Sequence, residues 1–405
     1  MVEMEEKYIN LLLKKCLNFD NSKSLLISYY KDNLDFVNNI VKKAKEMGID
    51  DIYLDEEDIY EYHDLMENIE IDKMDNDSHF DKSVWDEYAK KNASFLMIDT
   101  EYPGMMEDID SKKIAKATSL KRNSKPIYKE KQMRYEVPWT IAVMANKVWA
   151  ESLFPDDENP LDKLQNIIYE ICLVNEEDPF ASWDKLIAEN KKRVEYLESL
   201  NLKSLQFKNS LGTDLTVTLP EKVKWSGIGS DGNNLIVNMP SFEIFTSPNY
   251  LGTNGVVYSA KPLIYNGKEV NNFKIEFKDG KAIKVDAETG KEVLESIIKT
   301  GKNNCYLGEV ALVDNDSPIS NTNLIFGTTL FDENAACHLA LGEAFCECLE
   351  NGSELSEEQL QEKGLNVADN HVDFMIGTED LEIIGTTYDK EEIVIFEKGN
   401  FKKNE

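Results

Sequence analysis

Positive charge is scarce in this chain. Its 405 residues carry 45 Lys and Arg against 76 Asp and Glu, a formal net charge of −31. A protein that grips a phosphate backbone needs a clustered cationic footprint to release counterions, and here the lysines are interleaved with a larger number of acids. DNA and RNA are therefore excluded as partners, whereas an acidic surface keeps the chain soluble and attracts a protonated amino group. Long apolar runs are missing as well. The opening residues, Met1-Val2-Glu3-Met4-Glu5-Glu6-Lys7, have no basic stretch followed by an apolar one, and no window approaches a membrane span, so neither export nor membrane insertion is expected. Six cysteines without a disulfide spacing fit a reducing, cytoplasmic setting. No glycine-rich loop follows a strand-like run, which leaves nucleotide binding without a motif.

What the chain does have is length and a change of texture. With 41% hydrophobic residues over 405 positions it exceeds what one core serves, so two domains are expected, residues 1–201 and 202–405. The first reads as α/β. An amphipathic helix over Met1–Phe19 precedes a strand Ser24–Tyr29, a helix Asn33–Met47 and a strand Asp51–Leu54. A further strand follows at Ser94–Ile98, with helices over Trp139–Leu153, Pro160–Cys172 and Ala181–Leu200. Such alternation predicts a mostly parallel sheet covered by helices. The second domain reads as β-rich α+β, with strands such as Ser204–Phe207 and Asp214–Leu219. The strands Lys274–Phe277 and Ala282–Val285 flank an Asp279-Gly280 turn, a hairpin signal. Helices are expected there only at Gly290–Thr300, Ala335–Leu349 and Ser356–Lys363.

Histidine is the rarest informative residue, with four in the chain. Two of them, His338 and His371, lie in apolar segments with a carboxylate nearby. Imidazole nitrogen with carboxylate oxygen suits zinc, manganese or cobalt. His371 and Asp373 stand two apart among strand formers, so on a strand both project to one face, while on a helix they would diverge by about 200°. Glu243 and Glu309 each sit among residues that are normally buried, where a carboxylate needs a partner. Lys and Arg are sparse in both windows, which leaves a divalent cation as the economical counter-charge.

Four ordered runs carry a resemblance. They are Asn238-Met239-Pro240 through Glu243-Ile244-Phe245-Thr246, Leu307-Gly308-Glu309 through Val313, Phe326-Gly327-Thr328 through Glu333-Asn334-Ala335-Ala336-Cys337-His338, and His371-Val372-Asp373-Phe374-Met375-Ile376-Gly377. Together they resemble the thermophilic metalloaminopeptidase family, typified by aminopeptidases T and S. Weaker pieces at Val137-Pro138-Trp139, Asp178–Trp183 and Gly212–Leu215 extend the resemblance over most of the chain. It implies two divalent metal ions, zinc before cobalt or manganese, in the C-terminal domain. Glu243, Glu309, Glu333, His338, His371 and Asp373 are the implied ligands, and Glu309 is also the implied general base. It further implies removal of the N-terminal residue from short peptides by a homodimer. Locally, Asp332-Glu333-Asn334 reads equally as the capped first turn of the Ala335–Leu349 helix, and only the family motif prefers Glu333 to Asp332.

Two positions depart from the family pattern. Phe345 stands where a catalytic tyrosine is usual, seven residues after His338, and Ala368 stands where a serine is common. A phenyl ring cannot donate a hydrogen bond, so Tyr258 is a candidate substitute. A metal-dependent peptide-binding protein with weakened catalysis is the alternative that Phe345 raises. A two-metal phosphoesterase lacks Arg or Lys in the motifs to clamp a phosphoryl group. Cys337, Cys346 and Cys348 invite a Cys/His zinc reading, but on the expected helix they diverge from His338.

Overall fold

Leu25, Leu26 and Ile27 form an apolar run without polar interruption, as a strand covered on both faces requires. A computed structural model of the chain describes residues 2–18, 23–229, 235–265 and 268–402. In it that run is the core of strand β1 (Ser24–Tyr30), flanked by β2 (Asp51–Glu57) and β3 (Ser94–Asp99). Strands β4 (Trp139–Val143) and β8 (Asn238–Met239) complete a sheet of order β2-β1-β3-β4-β8 in which every pair is parallel. Between β1 and β2 the helix Leu34–Glu46 buries Phe36, Val37, Ile40 and Ala44, the spacing that puts one helical stripe on a core. The chain divides into two compact units, residues 1–186 with 231–241, and residues 187–230 with 242–405.

The opening helix is present over Val2–Asn10 and continues as a π-helical turn, Leu11–Cys16, whose Leu11, Leu12, Leu13 and Cys16 are buried. Met1 and Phe19, the expected ends, lie outside the described residues. The helix expected over Trp139–Leu153 is corrected. Trp139–Val143 is β4, because Thr140, Ile141 and Val143 include three β-branched side chains that pair in register with β3. The helix starts only at Lys147, where the Asn146 side chain caps it by accepting from the Trp149 N–H at 2.8 Å.

The second unit is built on two antiparallel sheets. One contains β5 (Leu202–Lys208), β6 (Asp214–Thr218), β10 (Asn254–Tyr258), β13 (Lys274–Lys278), β14 (Lys281–Asp286), β18 (Glu382–Thr387), β19 (Glu392–Glu397) and β20 (Asn400–Phe401). Its order is β14-β13-β10-β6-β5-β18-β19-β20. The β13–β14 turn has Asp279 at φ 49° and Gly280 at φ 82°, the two positive values that a tight hairpin turn demands. The other sheet contains β7 (Ser226–Gly227), β9 (Ile244–Thr246), β15 (Leu307–Leu312), β16 (His338–Gly342) and β17 (His371–Met375), in the order β17-β16-β15-β9-β7. A small hairpin, β11 (Leu263–Tyr265) with β12 (Lys268–Val270), lies beside β17. Leu205, Phe207, Leu215 and Ile275 of the large sheet share one core with Val310, Leu339 and Phe374 of the small one.

The helix expected over Ala335–Leu349 is the main correction in this unit. Glu333–Ala335 is a single 3-10 turn, His338–Gly342 is the central strand β16, and Cys346–Cys348 is another short turn. Leu, Ala and Glu favour helix on their own, but β16 is paired on both sides and every residue in it is buried. Tertiary pairing overrides a propensity worth tenths of a kcal/mol per residue. The thiol argument changes with it. Cys337 and His338 are neighbours at the start of a strand and face opposite sides, so Cys337 joins the core while His338 does not.

Candidate metal centre

The small sheet separates its two faces by chemistry. Ile244, Val310, Leu312, Leu339, Leu341, Val372 and Phe374 point into the shared core. The alternate residues, one per strand step, are Glu309 and Ala311 of β15, His338, Ala340 and Gly342 of β16, and His371 and Asp373 of β17. Glu243 lies one residue before β9, in phase with Phe245, which pairs with Ala311. In register, Ala340 is flanked by Glu309 on one side and Asp373 on the other. Its single methyl leaves the space over which these longer side chains converge.

Glu309 reaches this face through a β-bulge. Leu307 pairs with Leu341 and belongs to the core, whereas Glu309 pairs with Ala340, so the register slips by one residue at Gly308. In an unbroken strand, residues 307 and 309 would share a face, and Glu309 would enter the apolar core. Gly308 is required at that point: a Cβ there would stand 2.1 Å from Glu343 O and 2.4 Å from Gly342 O. A glycine inside a strand pattern is a sequence signal for such a bulge, one that the reading of the sequence did not use.

The result is two overlapping ligand groups. Glu243, Glu309 and His338 place donor atoms within 4.8 Å of one another, and so do Glu309, His371 and Asp373, with Glu309 common to both. His338 Nε2 is 3.4 Å from Glu243 Oε2, and His371 Nε2 is 3.1 Å from Glu309 Oε2 and 3.2 Å from Asp373 Oδ1. Both imidazoles are oriented from behind. His338 Nδ1 lies 3.1 Å from Ala336 O and His371 Nδ1 lies 2.7 Å from Glu343 O, so each Nδ1–H donates to a carbonyl and each Nε2 is turned toward the carboxylates. That backing hydrogen bond is how a ligating histidine has its tautomer fixed. Asp373 Oδ1 is buried without an aligned hydrogen-bond donor. Hard oxygen and imidazole donors with one carboxylate shared fit a pair of divalent cations.

Glu333 joins the same cluster electrostatically, while its neighbour Asp332 is engaged elsewhere. Asp332 accepts from the N–H groups of Phe326 and Gly327, at 2.9 and 2.8 Å, so its carboxylate pins the preceding loop. The Glu333 carboxyl is held well above its ordinary range by burial, then by Glu243 and Asp373. Asn334 ties the two segments together, accepting from the Phe242 N–H at 2.7 Å while its amide donates to Leu330 O at 3.0 Å.

Close packing shifts the ionisation of four of these groups. Burial pushes Glu309 up to about 7, against the hydrogen bond from His371. At His338 burial acts downward but is outweighed by the Glu243 hydrogen bond and the Glu309 charge, which raise it to about 10. His371 rises for the same reason, through Asp373 and Glu309, and Asp373 is held below its usual range by His371 despite its burial.

Access is greatest on one side. The His338 side chain is 1% exposed and that of His371 is 26% exposed, so the cluster meets solvent at His371. The Phe345 ring sits at that side, 4.9 Å from the His371 ring and 5.1 Å from Phe245, with its N–H donating to Ser247 Oγ at 2.9 Å. Tyr258 lies elsewhere. Its ring rests against Gly212 and 5.6 Å from Lys274 Nζ, in a cavity of about 580 Å³ none of whose lining residues is one of the six. A further acidic group, His63 with Asp64 and Glu67, belongs to the first unit, and His63 Nε2 is engaged by Asp108 at 2.9 Å.

Known proteins resemble this chain over almost its whole length. The chain is 34% identical over 399 residues to the aminopeptidase AmpS of Bacillus subtilis (strain 168), covering 97% of each chain. It is 35% identical over 401 residues to aminopeptidase 2 of Geobacillus stearothermophilus, covering 98% of this chain and 97% of that one. The solved structure of wild-type AmpT from Thermus thermophilus superposes with a TM-score of 0.89 at 28% identity, over 99% of both chains. A family model, described as thermophilic metalloprotease (M29), matches residues 2–401. The chain belongs to the thermophilic metalloprotease (M29) family.

Proposed function

We propose that this metal-dependent aminopeptidase removes the N-terminal residue from short peptides at a dinuclear centre held by Glu243, Glu309, Glu333, His338, His371 and Asp373. The observation that carries the reading is the shared Glu309, which belongs to both three-residue ligand groups. Divalent metals, zinc first and cobalt or manganese as alternatives, supply carbonyl polarisation and a water acidified towards neutrality when bound. The residues do the rest. Glu309 accepts a proton from the attacking water and passes it to the leaving amine, a base-then-acid role. Ala336 O and Glu343 O hold the two imidazoles so that Nε2 keeps its lone pair inward. Phe245 and Phe345 form an apolar wall at the open side, where they exclude water from the scissile bond. The proposed domain division is residues 1–201 and 202–405, with all six ligands in the second. The protein is proposed to work as a cytoplasmic homodimer.

The test is a peptide assay with free and N-acetylated forms of one short peptide. Exhaustive chelation is expected to abolish cleavage of the free form, zinc, cobalt or manganese to restore it, and the acetylated form to resist in every state. Activity that survives verified metal removal contradicts the metal chemistry, and comparable cleavage of both forms contradicts the exopeptidase assignment.

Phe345 favours a second reading, a peptide-binding protein with weakened catalysis. Because the ring adjoins His371 and Tyr258 lies in a different cavity, Phe345→Tyr would place a hydroxyl at the open side of the centre. The variant is expected to raise kcat by about tenfold with KM little changed, since a donor to the developing oxyanion acts mainly in the transition state. Steady-state kinetics at equal metal content decides it. Wild-type turnover that Phe345→Tyr leaves unchanged would mean that another donor already serves. Turnover seen only in the variant would establish the weakened enzyme.

A further inference from the structure

Lys261 is a partly buried lysine with no ion pair or hydrogen bond among the described residues, in a chain with 76 carboxylates. It follows Ala260, whose N–H donates to Met375 O at 2.8 Å, at the end of the strand that carries His371 and Asp373. The carboxylate that acts on it is that of Asp332, the residue before Glu333. Both oxygens of that carboxylate already accept backbone N–H groups, from Phe326 and Gly327. Lys261 therefore stands partly buried beside the ligand strand, with no hydrogen-bond acceptor for its ammonium among the described residues. Even partial burial of a cation without a hydrogen-bonded partner is costly, and burial accordingly holds it below the usual lysine range. Nor do the proposed metals consume its charge. The four carboxylates Glu243, Glu309, Glu333 and Asp373 balance two divalent ions, so none of their charge is left over for Lys261, whose counter-charge stays Asp332, a carboxylate that gives it no hydrogen bond.

We propose that Lys261 is a specificity-determining residue that receives the C-terminal carboxylate of a dipeptide or tripeptide whose free amino end is at the metal centre. The inference rests on the aminopeptidase reading and adds to it a reason for preferring short substrates. An extended peptide advances about 3.4 Å per residue, so a charge fixed next to the ligand strand meets the far end of only the shortest peptides.

The experiment compares free acids with C-terminal amides of the same di- and tripeptides, using metal-loaded enzyme. Wild type is expected to favour the acid by about tenfold in kcat/KM, mostly through KM, as for one partly exposed ion pair. Lys261→Met keeps the stem and removes the charge, and is expected to erase that preference. Lys261→Arg should keep it, and Lys261→Gln repeats the test should the Met variant fold poorly. Equal cleavage of acid and amide by wild type overturns the proposal while leaving the aminopeptidase reading intact. So does a Lys261→Met enzyme that loses rate on both substrates yet keeps the preference, which would make Lys261 structural. Failure of loaded wild type to cleave any of these peptides overturns the underlying reading, and the proposal with it.

Discussion

Glu309→Gln is expected to lower kcat by about a thousandfold, the scale of a lost general base, and to reduce bound metal at the same time. The glutamine keeps the length of the side chain, and its amide stays within hydrogen-bond reach of His371 Nε2, which lies 3.1 Å from Glu309 Oε2. What it lacks is the charge that both ligand groups share and the capacity to take a proton. Stability is expected to move the opposite way in the metal-free protein. Glu309 is 4% exposed and its carboxyl is raised by burial, with Asp373 adding repulsion. Without cations the cluster gathers four carboxylates, and removing one relieves like-charge repulsion and desolvation together. The metal-free variant should therefore melt above metal-free wild type, while zinc raises its melting temperature by less than it raises that of wild type. Elemental analysis, turnover and thermal unfolding report the three effects. A variant with full metal content and unchanged kcat would remove Glu309 from both roles.

Much of this candidate centre was legible in the chain, and the reasons differ from residue to residue. His371 and Asp373 were readable because the period of a strand is two and the residues between and after them are strand formers, and β17 runs over His371–Met375. His338 was identified as a candidate with the wrong local structure. Its segment is rich in Leu, Ala and Glu, which argues for helix, and only pairing with β15 and β17 makes it a strand. The same override by neighbours explains Trp139–Val143. The engagement of Asp332 was invisible locally, since it depends on the Phe326 and Gly327 amides, which fold back onto it. The carbonyls of Ala336 and Glu343 that orient the imidazoles leave no trace in sequence, because any residue supplies a backbone oxygen. The parallel order of the first sheet followed from alternation of strands and helices, whereas the insertion of Asn238–Met239 beside β4 joins residues about a hundred apart and has no local signal.

Gly308→Ala is expected to be the most damaging substitution at a residue that offers no ligand atom. The added methyl would meet Glu343 O and Gly342 O, at 2.1 and 2.4 Å, and both are backbone atoms that cannot swing aside. Glu343 O is the acceptor that orients His371, and Gly342 pairs with His371 across the sheet. The clash therefore presses on one proposed ligand while distorting the bulge that turns another, Glu309, out of the core. Overpacking of this kind costs about 1–3 kcal/mol of stability, which a unit with a large shared core should survive as a folded protein. Catalysis is less tolerant, because a displacement of about 1 Å at a reacting group lowers rate by about a hundredfold. The expected outcome is a soluble, cooperatively folding variant with a kcat at least a hundredfold below wild type and less than full metal content. Circular dichroism, elemental analysis and kinetics on the same preparation check it. A folded Gly308→Ala protein that binds metal and turns over like wild type would show that the bulge is incidental to the placement of Glu309.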